Sequence, residues 1–146
     1  MSRFLVLSAA ALLALGCMKG AERTDTMQTA TMSAAINLDE VAGTWNFNAI
    51  PEGDTTVVNY TVMATNDTSG WTMKMGNAAP VPLRITVAGD SVITMAGPFP
   101  SALKPGTTVT THSITRFRGD SAFGVTHAAY SGGERLTLQT RGSRAP

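Results

Sequence analysis

A chain of 146 residues with 11 Lys and Arg against 10 Asp and Glu is long enough for one domain and close to neutral. It has no Lys/Arg run, basic stripe or basic helix, which argues against nucleic acid or an anionic membrane surface as a specific partner. A single cysteine excludes an internal disulfide framework, and 2 histidines supply few metal ligands, so no metal site and no cofactor is expected.

The chain opens on one basic residue, Arg3, followed by the apolar run FLVLSAAALLALG, which stops at Cys17. The run is too short to span a bilayer comfortably as a helix and reads as a secretory signal over residues 1–16. Leu13-Ala14-Leu15-Gly16-Cys17 resembles the cleavage box of bacterial lipoproteins, matching at Gly16 and Cys17 and departing at Ala14 and Leu15. The resemblance implies that Cys17 becomes the lipidated first residue, with several acyl chains holding the protein on a membrane. It places the protein in the bacterial cell envelope, on the outer membrane facing the periplasm. Ordinary signal cleavage nearby would instead leave a soluble periplasmic or secreted protein. Loss of Arg3 with the leader would leave 10 basic side chains against 10 acidic ones.

Residues 17–40 carry Thr, Ala, Met and mixed charge without a sustained period, which reads as a flexible tether. As a coil, about 20 such residues span roughly 25 Å. A short helix between Ser33 and Glu40 would lead into the first strand.

From Val41 onward, Thr, Val and aromatic residues alternate, and turn residues recur at short intervals. The pattern predicts strands at Gly43–Ile50, Thr56–Thr65, Gly70–Met75, Val81–Ala88, Ser91–Ala96, Thr107–Arg118, Ser121–Tyr130 and Glu134–Arg141. No connection holds an amphipathic helix long enough for a parallel crossover, so an all-β antiparallel meander is expected over residues 41–146. The stiff, partly apolar segment Gly97–Gly106 is expected to be the longest loop and to cap one end. Parity puts Trp45 with Phe47, Val58 with Tyr60 and Val62, and Trp71 with Met73 and Met75.

Two turns echo each other, VAGDS at 87–91 and FRGDS at 117–121. A two-residue Gly119-Asp120 turn would set His112 opposite His127, half of a metal or proton site; a three-residue loop would put them on opposite faces. In the first hairpin, a three-residue loop pairs Leu83 with Met95 and Ile85 with Ile93, keeping apolar sides together. The longer loop is therefore expected in both hairpins, and the histidines apart.

Gly43-x-Trp45 opening an eight-strand meander resembles the lipocalin-like group of β-barrels. The resemblance implies a barrel closed by Gly43, by Trp45 at its closed end and by an arginine after the last strand lying across the Trp ring. Arg141 is the matching candidate and Arg144 the reserve. An open sandwich is the alternative arrangement of the same strands. Within a barrel, Phe47, Tyr60, Trp71, Met73, Met75 and Met95 are the candidate cavity wall, Met being soft and adaptable.

The chain contains no GxSxG elbow, HExxH, CxxC or Gly-rich phosphate loop, and Glu52 and Asp54 read as turn acids; enzymatic activity is not expected. The expected function is a non-enzymatic binding module of the cell envelope for a small apolar or amphipathic ligand. The alternative is a protein-interaction or structural envelope domain with a packed core, such as an inhibitor of a secreted enzyme.

Overall fold

The computed structural model describes residues 34–146. The leader, Cys17 and most of the predicted tether lie outside the described residues. A single helical turn, α1 (Leu38–Val41), is followed by eight strands: β1 (Gly43–Pro51), β2 (Val58–Ala64), β3 (Thr72–Lys74), β4 (Val81–Ala88), β5 (Ser91–Pro100), β6 (Thr108–Arg118), β7 (Ser121–Tyr130) and β8 (Arg135–Arg144). Each strand pairs antiparallel with the next, and β8 pairs with β1, closing a barrel that is lipocalin-like in shape. The predicted meander and its closure are therefore observed, and the open sandwich is not. The closing seam is long, running from Trp45 opposite Arg144 to Pro51 opposite Leu138. No described helix is long and apolar enough to cross a membrane.

The folded unit begins ahead of Val41. The Asn37 side chain caps α1 by accepting from Asp39 N, as a helix start requires. Ile36 donates its backbone N–H to Gly89 O at 2.9 Å, and Val41 is buried against the core. Helix α1 therefore covers the barrel end where the β4–β5 and β6–β7 turns lie.

Several strand ends differ from expectation, each for a local reason. Asp54 accepts from the backbone N–H groups of Thr55 and Thr56, holding them in the turn, so β2 starts at Val58. Strand β5 runs on to Pro100 through a bulge between Ala96 and Phe99. The bulge brings Phe99 back to the inner face and shortens the expected Gly97–Gly106 loop to residues 101–107. Strand β8 likewise continues past Arg141 to Arg144.

Both hairpin registers are corrections. Ala88 pairs with Ser91 and Arg118 with Ser121, so each turn has two central residues, Gly-Asp, not three. Gly89 and Gly119 each take φ of 57°, which suits the first position of the two-residue turns whose twist matches that of the strands. Leu83 consequently opposes Ala96, Ile85 opposes Thr94, and His112 opposes His127. Matching apolar to apolar across the first hairpin misled because the inner wall here is not uniformly apolar. Strands β5–β7 turn Thr94, Thr111, Ser113, Thr115 and Thr126 inward and leave Met95, Ile114 and Phe123 exposed.

On the opposite wall, burial follows the usual alternation. In β1, Trp45, Phe47, Ala49 and Pro51 are buried and their neighbours are not. Phe117 bridges the walls, edge-on to Trp45 at 4.8 Å and to Phe47 at 6.4 Å between ring centroids. Phe47 stacks on Tyr60 at 5.3 Å and also covers Gly142. A methyl group at position 142 would lie 2.5 Å from the Phe47 ring. Gly142→Ala is therefore expected to push Phe47 off its stack and cost about 1–3 kcal/mol, as overpacking does. Urea unfolding checks this, with Gly132→Ala as the control because its added methyl would meet nothing within 4 Å. Equal stability of the two variants would contradict the packing described.

Candidate binding cavity and outer wall

Two of the residues expected at the site depend on turns and caps that the sequence builds locally, and a third on a cross-strand stack. Trp45 is fully buried, and its indole N–H donates to Val41 O at 2.8 Å, so α1 satisfies the one polar atom that burial would orphan. Trp71 donates to Asp67 O at 2.8 Å from the β2–β3 turn. That turn is held by the Asp67 carboxylate, which accepts from Ser69 N at 2.7 Å; this bond keeps the carboxyl below its usual range. Tyr60 is positioned by its stack on Phe47, and burial pushes its phenol well above the ordinary range, so it stays neutral.

Phe47, Tyr60, Trp71, Met73 and Met75 all line one internal cavity, with Leu103 of the β5–β6 loop at its edge. Lys104 in that loop pairs with Glu134 of the β7–β8 turn and lies over the Tyr130 ring at 5.1 Å, fastening the cap to the barrel. Met95, the sixth expected wall residue, does not line the cavity. In the two-residue register it falls on the outer face and is 41% exposed. In its place, the hydroxyls of Thr94, Thr111, Ser113, Thr115 and Thr126 form the wall facing the aromatic and Met side, with Ser113 and Thr126 bonded to each other at 2.7 Å. Among the described residues no charged side chain lines the cavity, whose volume is about 90 Å³. That is small beside the roughly 300–1,000 Å³ of pockets that hold drug-sized ligands. Most of the barrel interior is therefore packed by its own side chains.

The arginine across Trp45 is Arg144, not Arg141. Its guanidinium lies 4.5 Å from the ring centroid, donates to Ala42 O at 2.8 Å and to Glu40 O, and pairs with Asp120 at 3.1 Å. Arg141 is exposed on the outer face, opposite Asn48 and Phe123. The difference is one of parity: even positions of β8, including Leu138 and Thr140, face inward, and 141 is odd. Gly43, the other expected closure residue, sits beneath this arginine; a Cβ there would approach Arg144 Nη1 to 2.9 Å.

The outer wall of β5–β8 carries features that strand parity alone did not reveal. Arg116, Phe123 and Arg141 form one cross-strand row, with Phe123 46% exposed between the two arginines. The next row is Ile93, Ile114, Val125 and Gln139, and the next is Met95, His112, His127 and Thr137. Arg116 and Arg118 both pair with Asp90 at 3.2 Å. Arg116 first, then Ser91 and Arg118, hold the Asp90 carboxyl down to about 2. Glu52 is engaged by Gln139 at 2.9 Å, whereas Arg84, Arg135 and Arg141 form no ion pair among the described residues.

The closing contact yields a direct expectation. Trp45→Ala should cost about 3–5 kcal/mol, as large buried aromatics do where the site cannot collapse. A double-mutant cycle between Trp45 and Arg144 should give a coupling of about 0.5–2 kcal/mol, and the same cycle with Arg141 should give none. Coupling to Arg141 in place of Arg144 would contradict the observed closure. No known family, curated protein or solved structure matches this chain.

Proposed function

We propose that the barrel is a non-catalytic, protein-binding module that docks a partner on the outer wall of β5–β8. The observation that carries this reading is the outer face of those strands, where Met95, Ile114 and Phe123 are exposed and Ile93 and Val125 complete the apolar rows, although Phe99, Val109, Phe117 and Tyr130 of the same strands already fill the inner face. An exposed aromatic between two arginines is the composition that concentrates binding energy at interfaces. Arg116, Arg118, Arg135 and Arg141 outnumber the nearby acids Asp90 and Glu52, so the face presents net positive charge. Its partner is a protein surface with an apolar anchor ringed by carboxylates. A second copy of this chain would bring like-charged arginines together and is disfavoured.

The reading includes export, with the barrel held in the envelope by acylated Cys17. Cys17→Ser should release the protein into the soluble fraction or stop its processing. A Ser variant processed and fractionated like the unaltered chain would remove the lipid anchor from the proposal.

A second reading has its own support in the neutral cavity, where a hydroxyl wall faces aromatic and Met side chains. That chemistry suits a small uncharged amphipathic molecule, and the volume of about 90 Å³ restricts its size. Native mass spectrometry of protein purified from cells checks it: a retained small molecule supports the reading, and a bare mass opposes it.

For the outer wall, a photo-reactive phenylalanine analogue at position 123 should form one adduct of defined mass in intact cells. The same analogue at Met63, exposed on β2, should form none, and Arg141→Glu should abolish the adduct. No adduct, the same adduct from both positions, or an adduct of twice the chain mass would each overturn the reading of an acidic protein partner.

A further inference from the structure

On the outer wall, the two-residue β6–β7 turn places His112 directly opposite His127, and the β5–β6 register places Met95 directly opposite His112. Directly opposed residues in adjacent strands have Cβ atoms about 4.5–5.5 Å apart, close enough for a thioether and two imidazoles to converge on one ion. All three line a surface groove of about 320 Å³ on β5–β8. His112 is partly buried and His127 exposed, so the groove is both bounded and accessible.

The orientation of one imidazole is already set. His127 Nδ1 is within 3.3 Å of the Thr137 hydroxyl, leaving Nε2 as the nitrogen available to a ligand. A hydrogen bond on the second ring nitrogen is how metal-binding histidines are usually held. No group of three or more His, Cys, Asp or Glu occurs among the described residues, so Met95 is what completes a three-donor set here.

We propose that Met95, His112 and His127 form a binding site for a soft monovalent metal ion, cuprous copper in the first instance. Thioether sulfur selects Cu(I), and imidazole accepts it readily. The three donors are neutral. Arg135 lines the same groove, and Arg84 opposes Met95 from β4. Their repulsion scales with the ion's charge and penalises a divalent ion twice as strongly as a monovalent one. Zinc, which favours four ligands and gains from thiolate or carboxylate, finds neither in this row.

The test uses the full chain carrying Cys17→Ser, so that its one thiol cannot compete, titrated anaerobically with Cu(I) against a chromogenic Cu(I) chelator. One equivalent should be retained. His112→Gln and His127→Gln should each abolish retention, and Met95→Leu should weaken it. Thr137→Val should lower affinity about 10–100-fold through the loss of His127 orientation. Met63→Leu, which removes an exposed methionine outside the row, should change nothing. Far-UV circular dichroism confirms that each variant is folded. No retained copper, retention unaffected by all three ligand substitutions, equal loss in Met63→Leu, or tighter binding of Zn(II) than of Cu(I) would each overturn the site.

Discussion

The closure of β1 onto β8 is the constraint on which the other features depend. A meander of eight strands has two free edges, and each is a row of unpaired backbone groups until the seam forms. Here the seam ends at one side chain that serves several groups. The Arg144 guanidinium covers the Trp45 ring, binds the carbonyls of Glu40 and Ala42, and pairs with Asp120 in the β6–β7 turn. Helix α1 supplies the complement, since Val41 O accepts the indole N–H that Arg144 does not reach. Three regions distant in sequence, α1 with the start of β1, the β6–β7 turn and the end of β8, are thereby joined at one end of the barrel. Once that end is sealed, alternation determines which side chains can line the interior.

The two walls obey alternation differently. From β1 to β4, large apolar side chains such as Trp45, Phe47, Val62, Trp71, Met73 and Leu83 fill the inside. From β5 to β7, Val92, Phe99, Val109, Phe117 and Tyr130 are buried as well, but smaller hydroxyl-bearing side chains alternate with them and make room for the bulk opposite. An eight-strand barrel is only just wide enough for its own side chains, so large residues at every inward position would overpack it. The apolar residues on the outer face of these strands do not contribute to that filling. They add only the modest stability of cross-strand pairs, and their exposure is what the proposed partner surface draws on.

Much of the architecture was legible because it rests on short-range rules. Turn residues bounded the strands, the lack of crossover helices dictated antiparallel pairing, and Gly43-x-Trp45 located the buried aromatic at the barrel end. The misplaced histidines and Met95 share one physical source, namely register. A hairpin loop one residue longer or shorter sends a partner side chain to the other face. Pairing Leu83 with Met95 looked favourable because both are apolar, yet the turn geometry of Gly89-Asp90 decided the matter. The same slip separated His112 from His127 and put Met95 in the cavity. A last strand ending at Arg141 makes that residue the candidate, whereas β8 runs to Arg144 and the inward parity of Leu138 selects an even position. The hydroxyl wall had no usable sequence signal, since Thr is common on both faces of exposed strands.

The balance between interior and exterior decides which functional reading has the firmer footing. A barrel that carried a sizeable cargo would keep its small residues clustered around a large void. In this barrel the hydroxyl wall meets Phe47, Tyr60, Phe117 and Trp71, and the space left is about 90 Å³. Phe117, edge-on to both Trp45 and Phe47, occupies the region next to the sealed end. The free space runs from Phe117 and Thr115 to Leu103, whose loop is tied down by Lys104 and Glu134. Any ligand entering there has to be small, uncharged and able to pass this tethered loop. The outer wall has no such restriction. Its apolar rows are open, and its arginines at 84, 135 and 141 lack acidic partners among the described residues. Recognition through that surface, as proposed, would need no rearrangement of the barrel, because the side chains concerned already lie on its outer face.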